Sequence, residues 1–157
     1  MLIFISGSLN SGKTTTSKLL AQRLGAEFIN VDDLNDTIPN FDLKKDLDKS
    51  LDLAISEINK FLDKGKNVVA NYVLREKDQK RLQKEIRSKQ LFIITLAPRL
   101  EIAQSNRGER KLTEWEVSRV KYHYDTGIAS PIFGEIVDNS ELTVEQTVDK
   151  ILDLIRA

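Results

Sequence analysis

The sequence predicts a single α/β domain over residues 1–157, with a mostly parallel five-stranded sheet and helices on both faces. Two observations carry this. Short apolar runs alternate with segments of helical periodicity along the whole chain, and that alternation builds a parallel sheet with crossover helices. The first junction between such segments carries Gly-x4-Gly-Lys-Thr, a phosphate-binding string placed between a strand and a helix.

Taken in order, the expected strands are Leu2–Ser6, Glu27–Val31, Asn67–Tyr72, Leu91–Leu96 and Glu135–Val137, each a short buried run. The expected helices are Lys13–Leu24, Asp42–Lys64, Glu76–Lys89, Leu100–Arg107, Glu114–Tyr124 and Val144–Arg156. In the second of these, Leu47, Leu51, Ala54, Ile58 and Phe61 form one apolar stripe. Thr113-Glu-Trp-Glu116 and Thr143-Val-Glu-Gln146 both read as capping boxes, and Gly25 and Gly65 stand just past helix ends. No repeat, low-complexity stretch or linker interrupts the pattern.

Composition removes several classes. The chain has no cysteine and one histidine, which excludes disulfides, thiolate metal sites and histidine clusters. Lys and Arg balance Asp and Glu at 24 each, so no overall field attracts nucleic acid or an anionic membrane. Glu76–Lys89 is locally basic, but its interspersed acids and helical spacing describe a solvated helix face. No apolar run reaches secretory or membrane-spanning length, and a cytoplasmic location is expected.

The string "GSLNSGKTTT" implies a bound nucleotide with Mg²⁺ as its companion. Gly7 and Gly12 let the backbone approach the ligand, and Asn10 stands where many such loops have glycine, because asparagine tolerates left-handed angles. Amides across Asn10, Ser11, Gly12, Lys13, Thr14 and Thr15, with the helix N-terminus behind them, are expected to cradle the phosphates. Lys13 adds a point charge, and the Thr14 hydroxyl is the expected Mg²⁺ ligand. A regulatory GTPase is disfavoured: no glycine follows an Asp by three residues, and Asn59-Lys60-Phe61-Leu62-Asp63 is one residue too long to read guanine and lies within a helical pattern.

Three stretches resemble the small-molecule kinases of the shikimate, gluconate and chloramphenicol phosphotransferase type, a P-loop NTPase architecture. The first is "FINVDDL", where Phe28-x-Asn30-x-Asp32 is similar to the shikimate kinase Phe-x-Asp-x-Asp with Asn for its first acid. The resemblance implies that Asp32 binds and deprotonates the acceptor hydroxyl near the metal, while Asp32 and Asp33 both also fit loop capping. The second is "LAPRLEIAQSNRGERKLTEWE", similar to the stretch entering these kinases' lid. It implies that Arg107 lies against adenine and that Arg110 reaches the transferring phosphoryl group. Trp115 reads as a packing residue and His123 as a helix-face residue. The third is "EIVDNSELTVEQTVDKI", which makes Asp138, Asn139 and Ser140 candidate adenine contacts, although turn chemistry also accounts for them.

Departures from the resemblance bear on the acceptor. Ala70-Asn71-Tyr72-Val73 replaces a Gly-rich turn, and Ala129-Ser130 precedes Pro131 where shikimate kinases carry Arg, so shikimate is not the expected acceptor. Asn71 stands where the chloramphenicol phosphotransferase strand has Asp, leaving the metal to Thr14, water and Asp32. Asn71 and Arg75 are possible acceptor contacts or ordinary loop residues. The expected function is transfer of the ATP γ-phosphoryl group to a hydroxyl of a small molecule. The alternatives are a nucleoside or nucleotide kinase, and an NTP-binding or ATPase module acting through a partner. Oligomeric state and the acceptor's identity are not encoded legibly.

Overall fold

The computed structural model describes all 157 residues. Five strands, β1 (Leu2–Gly7), β2 (Glu27–Asn30), β3 (Val68–Asn71), β4 (Leu91–Leu96) and β5 (Glu135–Val137), pair in the order β2-β3-β1-β4-β5, all parallel. Seven helices connect them: α1 (Lys13–Leu24), α2 (Val31–Asn35), α3 (Leu47–Asp63), α4 (Glu76–Glu85), α5 (Leu100–Ala103), α6 (Glu114–Asp125) and α7 (Val144–Arg156).

Burial on both faces explains the parallel arrangement. Along β1, Leu2 and Phe4 join Leu51, Ala54, Ile58 and Leu82 in one core layer. Ile3 and Ile5 join Leu20, Val148 and Ile151 in the other. One strand with period two thus anchors α3 and α4 on one side and α1 and α7 on the other. The expected stripe on α3 faces the first layer throughout, with Leu47 and Phe61 at its partly buried ends. Because β1 is central, the loop after it emerges mid-sheet at the carboxyl edge, where open α/β sheets bind ligands.

Where elements differ from expectation, a side chain takes over the backbone bonding. Residues 42–46 form a turn rather than the first helical turn: the Asp46 carboxylate accepts from Asp42 N (2.8 Å), and Asp42 accepts from Lys44 N (2.8 Å). The helix from Glu76 stops at Glu85 because Asn59 of α3 donates to the Glu85 carbonyl (2.9 Å) and accepts from Arg87 N (2.8 Å). The helix from Leu100 stops at Ala103 because the Asn10 amide captures the carbonyls of Ala103 and Ser105, each at 2.9 Å. β2 ends at Asn30, one residue early, and the five-residue α2 begins at once, too short to show a period. Thr143 and Gln146 reciprocate as a capping box. At Thr113 only half of the expected box forms, because the Glu116 carboxylate turns to Arg110 (2.6 Å).

Candidate active site

The phosphate loop has the backbone its residues dictate. Gly7 has φ 143°, and a Cβ there would stand 2.5 Å from the Leu96 carbonyl oxygen and 2.6 Å from Ser11 Oγ. No side chain fits that position. Asn10 adopts φ 60°, as its residue type predicts, and its two bonds to Ala103 and Ser105 tie the loop to the end of α5. Lys13 is 8% exposed and donates from Nζ to the Ser8 carbonyl at 2.6 Å. Burial lowers its pKa to about 8, partly offset by Asp32 and reinforced by Arg110. A cavity of about 460 Å³ opens over this loop, lined among others by Lys13, Thr14, Thr15, Asp32, Arg107 and Arg110.

Both arginines come from one tight turn. Arg110 N donates to the Arg107 carbonyl at 3.1 Å around Gly108, whose φ is 61°. The spacing in "NRGER" therefore delivers two guanidinium groups to the same cavity. Arg107 Nη1 donates to the Asn10 carbonyl (3.1 Å), so it lies over the loop already. Arg110 also pairs with Glu116 on α6, in a partly exposed ion pair.

Thr14 begins the metal question. Its hydroxyl accepts from Asn71 Nδ2 at 3.3 Å, across from the end of β3. Asn71 is fully buried, and its Oδ1 has no partner. The Thr14 hydroxyl and the Asp32 carboxylate line the same cavity and are hard oxygen donors, which suit Mg²⁺ that keeps several waters. No group of three or more acidic or imidazole side chains converges here. The residues thus fit a cation shared with a nucleotide's phosphates.

Asp32 sits in the first turn of α2 and lines two cavities at once. Its carboxyl still meets solvent, yet enclosure raises its pKa, with Lys13 opposing and Asp33 and Asp36 adding to the rise. Asp33 points elsewhere and accepts from Asn30 Nδ2 at 3.0 Å. The second cavity, about 200 Å³, is mostly apolar; its walls include Leu43, Leu47, Tyr72, Trp115, Arg119 and His123. The two spaces meet at Leu9, Lys13 and Asp32. Arg75 also lines the smaller one, but Asp78 binds it at Nε and Nη2 (both 2.8 Å), so its charge is already matched. Arg119 has no such partner and stacks over Tyr122, 4.9 Å from the ring centroid.

The residues expected at adenine divide. Asn139 is buried behind the loop and donates to the Ser11 carbonyl at 3.0 Å, a brace from the far side. Asp138 accepts from Ser140 N and Oγ, and Ser140 Oγ accepts from Arg99 N at 2.8 Å, the turn chemistry that Asp-Asn-Ser favours. Two residues depart from the roles their sequence context suggests. Trp115 is 60% exposed at the small cavity's mouth rather than packed. His123 is 3% exposed against the phosphate loop rather than on an outer helix face. Trp115, Arg119 and His123 follow at intervals of four, a shared helix face that was available in the sequence.

No family model matches the chain. It is 26% identical to a protein of Thermococcus kodakarensis named "Putative adenylate kinase", over 99% of this chain and 86% of that protein. Among solved structures, a gluconokinase from Sinorhizobium meliloti superposes with TM-score 0.76 at 16% identity, covering 98% of this chain and 90% of that one. A sugar kinase from Janibacter gives 0.73 at 16% identity, covering 99% and 94%. A shikimate kinase from Acinetobacter baumannii, in complex with shikimate, gives 0.67 at 17% identity, covering 99% and 92%. The fold is that of the P-loop kinases.

Proposed function

We propose that the protein transfers the γ-phosphoryl group of ATP to a hydroxyl of a small molecule. One observation carries the reading: the phosphate cavity and the smaller apolar cavity meet at Lys13 and Asp32. A donor on one side and an acceptor on the other would bring their reacting atoms to those two groups.

The nucleotide's phosphates lie along the loop, with the adenine toward Arg107 and the 138–140 turn. The acceptor's body fills the space under Trp115, Leu43 and Leu47. Asp32 orients the hydroxyl and takes its proton as the oxygen attacks phosphorus and the bond to ADP breaks. The raised carboxyl suits this role, since it can accept a proton in transfer and release it afterwards. Lys13 and Arg110 hold the charge on the transferring group, and Asn71 keeps the Thr14 hydroxyl in place. Thr14 and Asp32 would hold Mg²⁺, which would supply neutralisation of the phosphate charge.

A nucleotide acceptor is the second reading, favoured by the Thermococcus likeness and by the unpaired Arg119 facing the cavity. The volume favours a smaller molecule, because roughly 300–1,000 Å³ is usual for sites of drug-sized ligands. ADP formation is measured with ATP–Mg²⁺ against hydroxylated metabolites in one arm and nucleoside monophosphates in another. Asp32→Asn should lower acceptor-dependent turnover by about 10²–10⁴ while nucleotide affinity stays within a few-fold. Asp33→Asn should be mild. Undiminished transfer by Asp32→Asn removes its role as base; ADP formation indifferent to every acceptor supports an ATPase module instead.

A further inference from the structure

His123 is the chain's single histidine, and the transfer mechanism above makes no use of it. Its Nδ1 accepts from Leu9 N at 3.3 Å and lies 3.4 Å from Ser8 Oγ. The Ser8 hydroxyl donates to the Leu9 carbonyl (3.0 Å), and the Ser8 carbonyl accepts the Lys13 ammonium (2.6 Å). Imidazole, the Ser8–Leu9 peptide and Lys13 therefore form one chain of hydrogen bonds, reaching from α6 into the phosphate loop. The same ring lines the smaller cavity beside Asp32 and Lys13.

We infer that His123 is a positioning residue for the phosphate loop: its unprotonated Nδ1 fixes the Ser8–Leu9 peptide and, through that carbonyl, the resting place of Lys13. The bond defines the tautomer. Since Leu9 N–H donates to Nδ1, the neutral ring carries its proton on Nε2. Burial, with Arg119 and Lys13 nearby, lowers the pKa to about 4, so the acceptor nitrogen stays free of a proton at neutral pH. The consequence reaches beyond packing. α6 follows directly on the segment bearing Arg107 and Arg110, and its His123 ring borders the acceptor space. A shift of α6 would therefore be felt at the Leu9 amide, whose peptide carbonyl holds Lys13.

Because there is one histidine, ¹⁵N-resolved NMR of the imidazole needs no residue assignment. The expected spectrum at pH 7 is a neutral ring protonated at Nε2, and saturating ATP should move the Nδ1 and Nε2 resonances. His123→Asn places an amide oxygen near the Nδ1 position, whereas His123→Phe keeps ring bulk without an acceptor. Loss of one net hydrogen bond predicts ATP binding about three- to tenfold weaker in His123→Phe, with His123→Asn close to the wild type. Calorimetric titration with ATP reads the affinities, with thermal melts alongside. A ring protonated at Nδ1, resonances unmoved by ATP, or equal ATP affinity in His123→Phe and the wild type overturns the assignment. The spectra decide it if His123→Phe does not fold. Neither readout involves a phosphate acceptor, so a failed acceptor search leaves this test intact.

Discussion

Replacing Gly7 by Ala separates steric demand in the phosphate loop from mere backbone preference. The added Cβ meets the Leu96 carbonyl oxygen at 2.5 Å and Ser11 Oγ at 2.6 Å. Leu96 pairs with Gly7 itself in the β1–β4 ladder, so its carbonyl cannot withdraw without opening the sheet's centre. Strain at a positive φ contributes about 1–3 kcal/mol, and crowding in a packed interior about 1–3 kcal/mol more, for a total near 4 kcal/mol. At about 2–4 °C per kcal/mol for a chain of this length, the melting temperature should fall by roughly 8–16 °C. Gly108→Ala is the control: φ is 61° there, but nothing lies within 4 Å of the new methyl. It should cost only the conformational term, about 1–2 kcal/mol and a few degrees. Thermal unfolding by circular dichroism gives both shifts, and ATP titration shows whether the Gly7 variant keeps its cradle. Equal shifts for the two variants, or a Gly7→Ala protein with unchanged stability and ATP affinity, refute the close approach of β4 to the loop.

Lys13→Ala should abolish acceptor-dependent ADP formation while the far-ultraviolet spectrum persists, since the missing group is a charge on phosphates; unchanged turnover would remove the basis of the nucleotide reading. Arg107→Ala should weaken ATP binding, measured by titration, because its guanidinium already rests on the loop. Arg110→Ala should lower kcat more than ATP affinity, because its guanidinium is paired with Glu116 and its contact with the phosphoryl group would form mainly as charge develops, and steady-state kinetics separates the two effects. His123 is neutral when folded and titrates near 6.5 when unfolded, so its stabilisation is complete above about pH 6.5 and is lost progressively as pH falls toward 4. Between pH 7 and 5 the wild type should therefore lose more thermal stability than His123→Phe, at up to about 1.4 kcal/mol per pH unit.

Elements governed by local periodicity were legible: β1 reads as apolar on both faces, and α3 and α7 show their stripes. What escaped the sequence depends on distant partners. Nothing local says that Asn10 bonds Ala103 and Ser105 and so cuts α5 short, or that Asn59 ends α4. In the site, the phosphate loop announced itself because its chemistry is contiguous. Arg107 and Arg110 were singled out through the family resemblance, while the turn between them was not legible. Trp115, Arg119 and His123 share a helix face by sequence alone, yet which wall that face completes is a matter of how α6 lies against the loop after β1. Asp32 was read as a strand end and proves to open a helix, a difference of one residue that leaves its place beside Lys13 intact.

Charge balance explains why Arg110 rests on Glu116. The phosphate cavity gathers Lys13, Arg107 and Arg110 against the single carboxylate of Asp32, because β3 ends in Asn71 and supplies no acid. Three cations lining one cavity repel one another, and burial already depresses Lys13. Pairing Arg110 with Glu116 relieves part of that field. The arrangement is cheap to undo, because the ion pair is half-exposed and such pairs contribute only about 0–1 kcal/mol. A hydrogen bond to a charged phosphate oxygen contributes about 1.5–3 kcal/mol, so on the function proposed above a nucleotide would compete with Glu116 for the guanidinium. Glu116 belongs to α6, which also bears Trp115 at the smaller cavity and His123 on the loop. Release of Arg110 from Glu116 would therefore remove one tether of the helix that walls the smaller cavity, which couples the two cavities through α6.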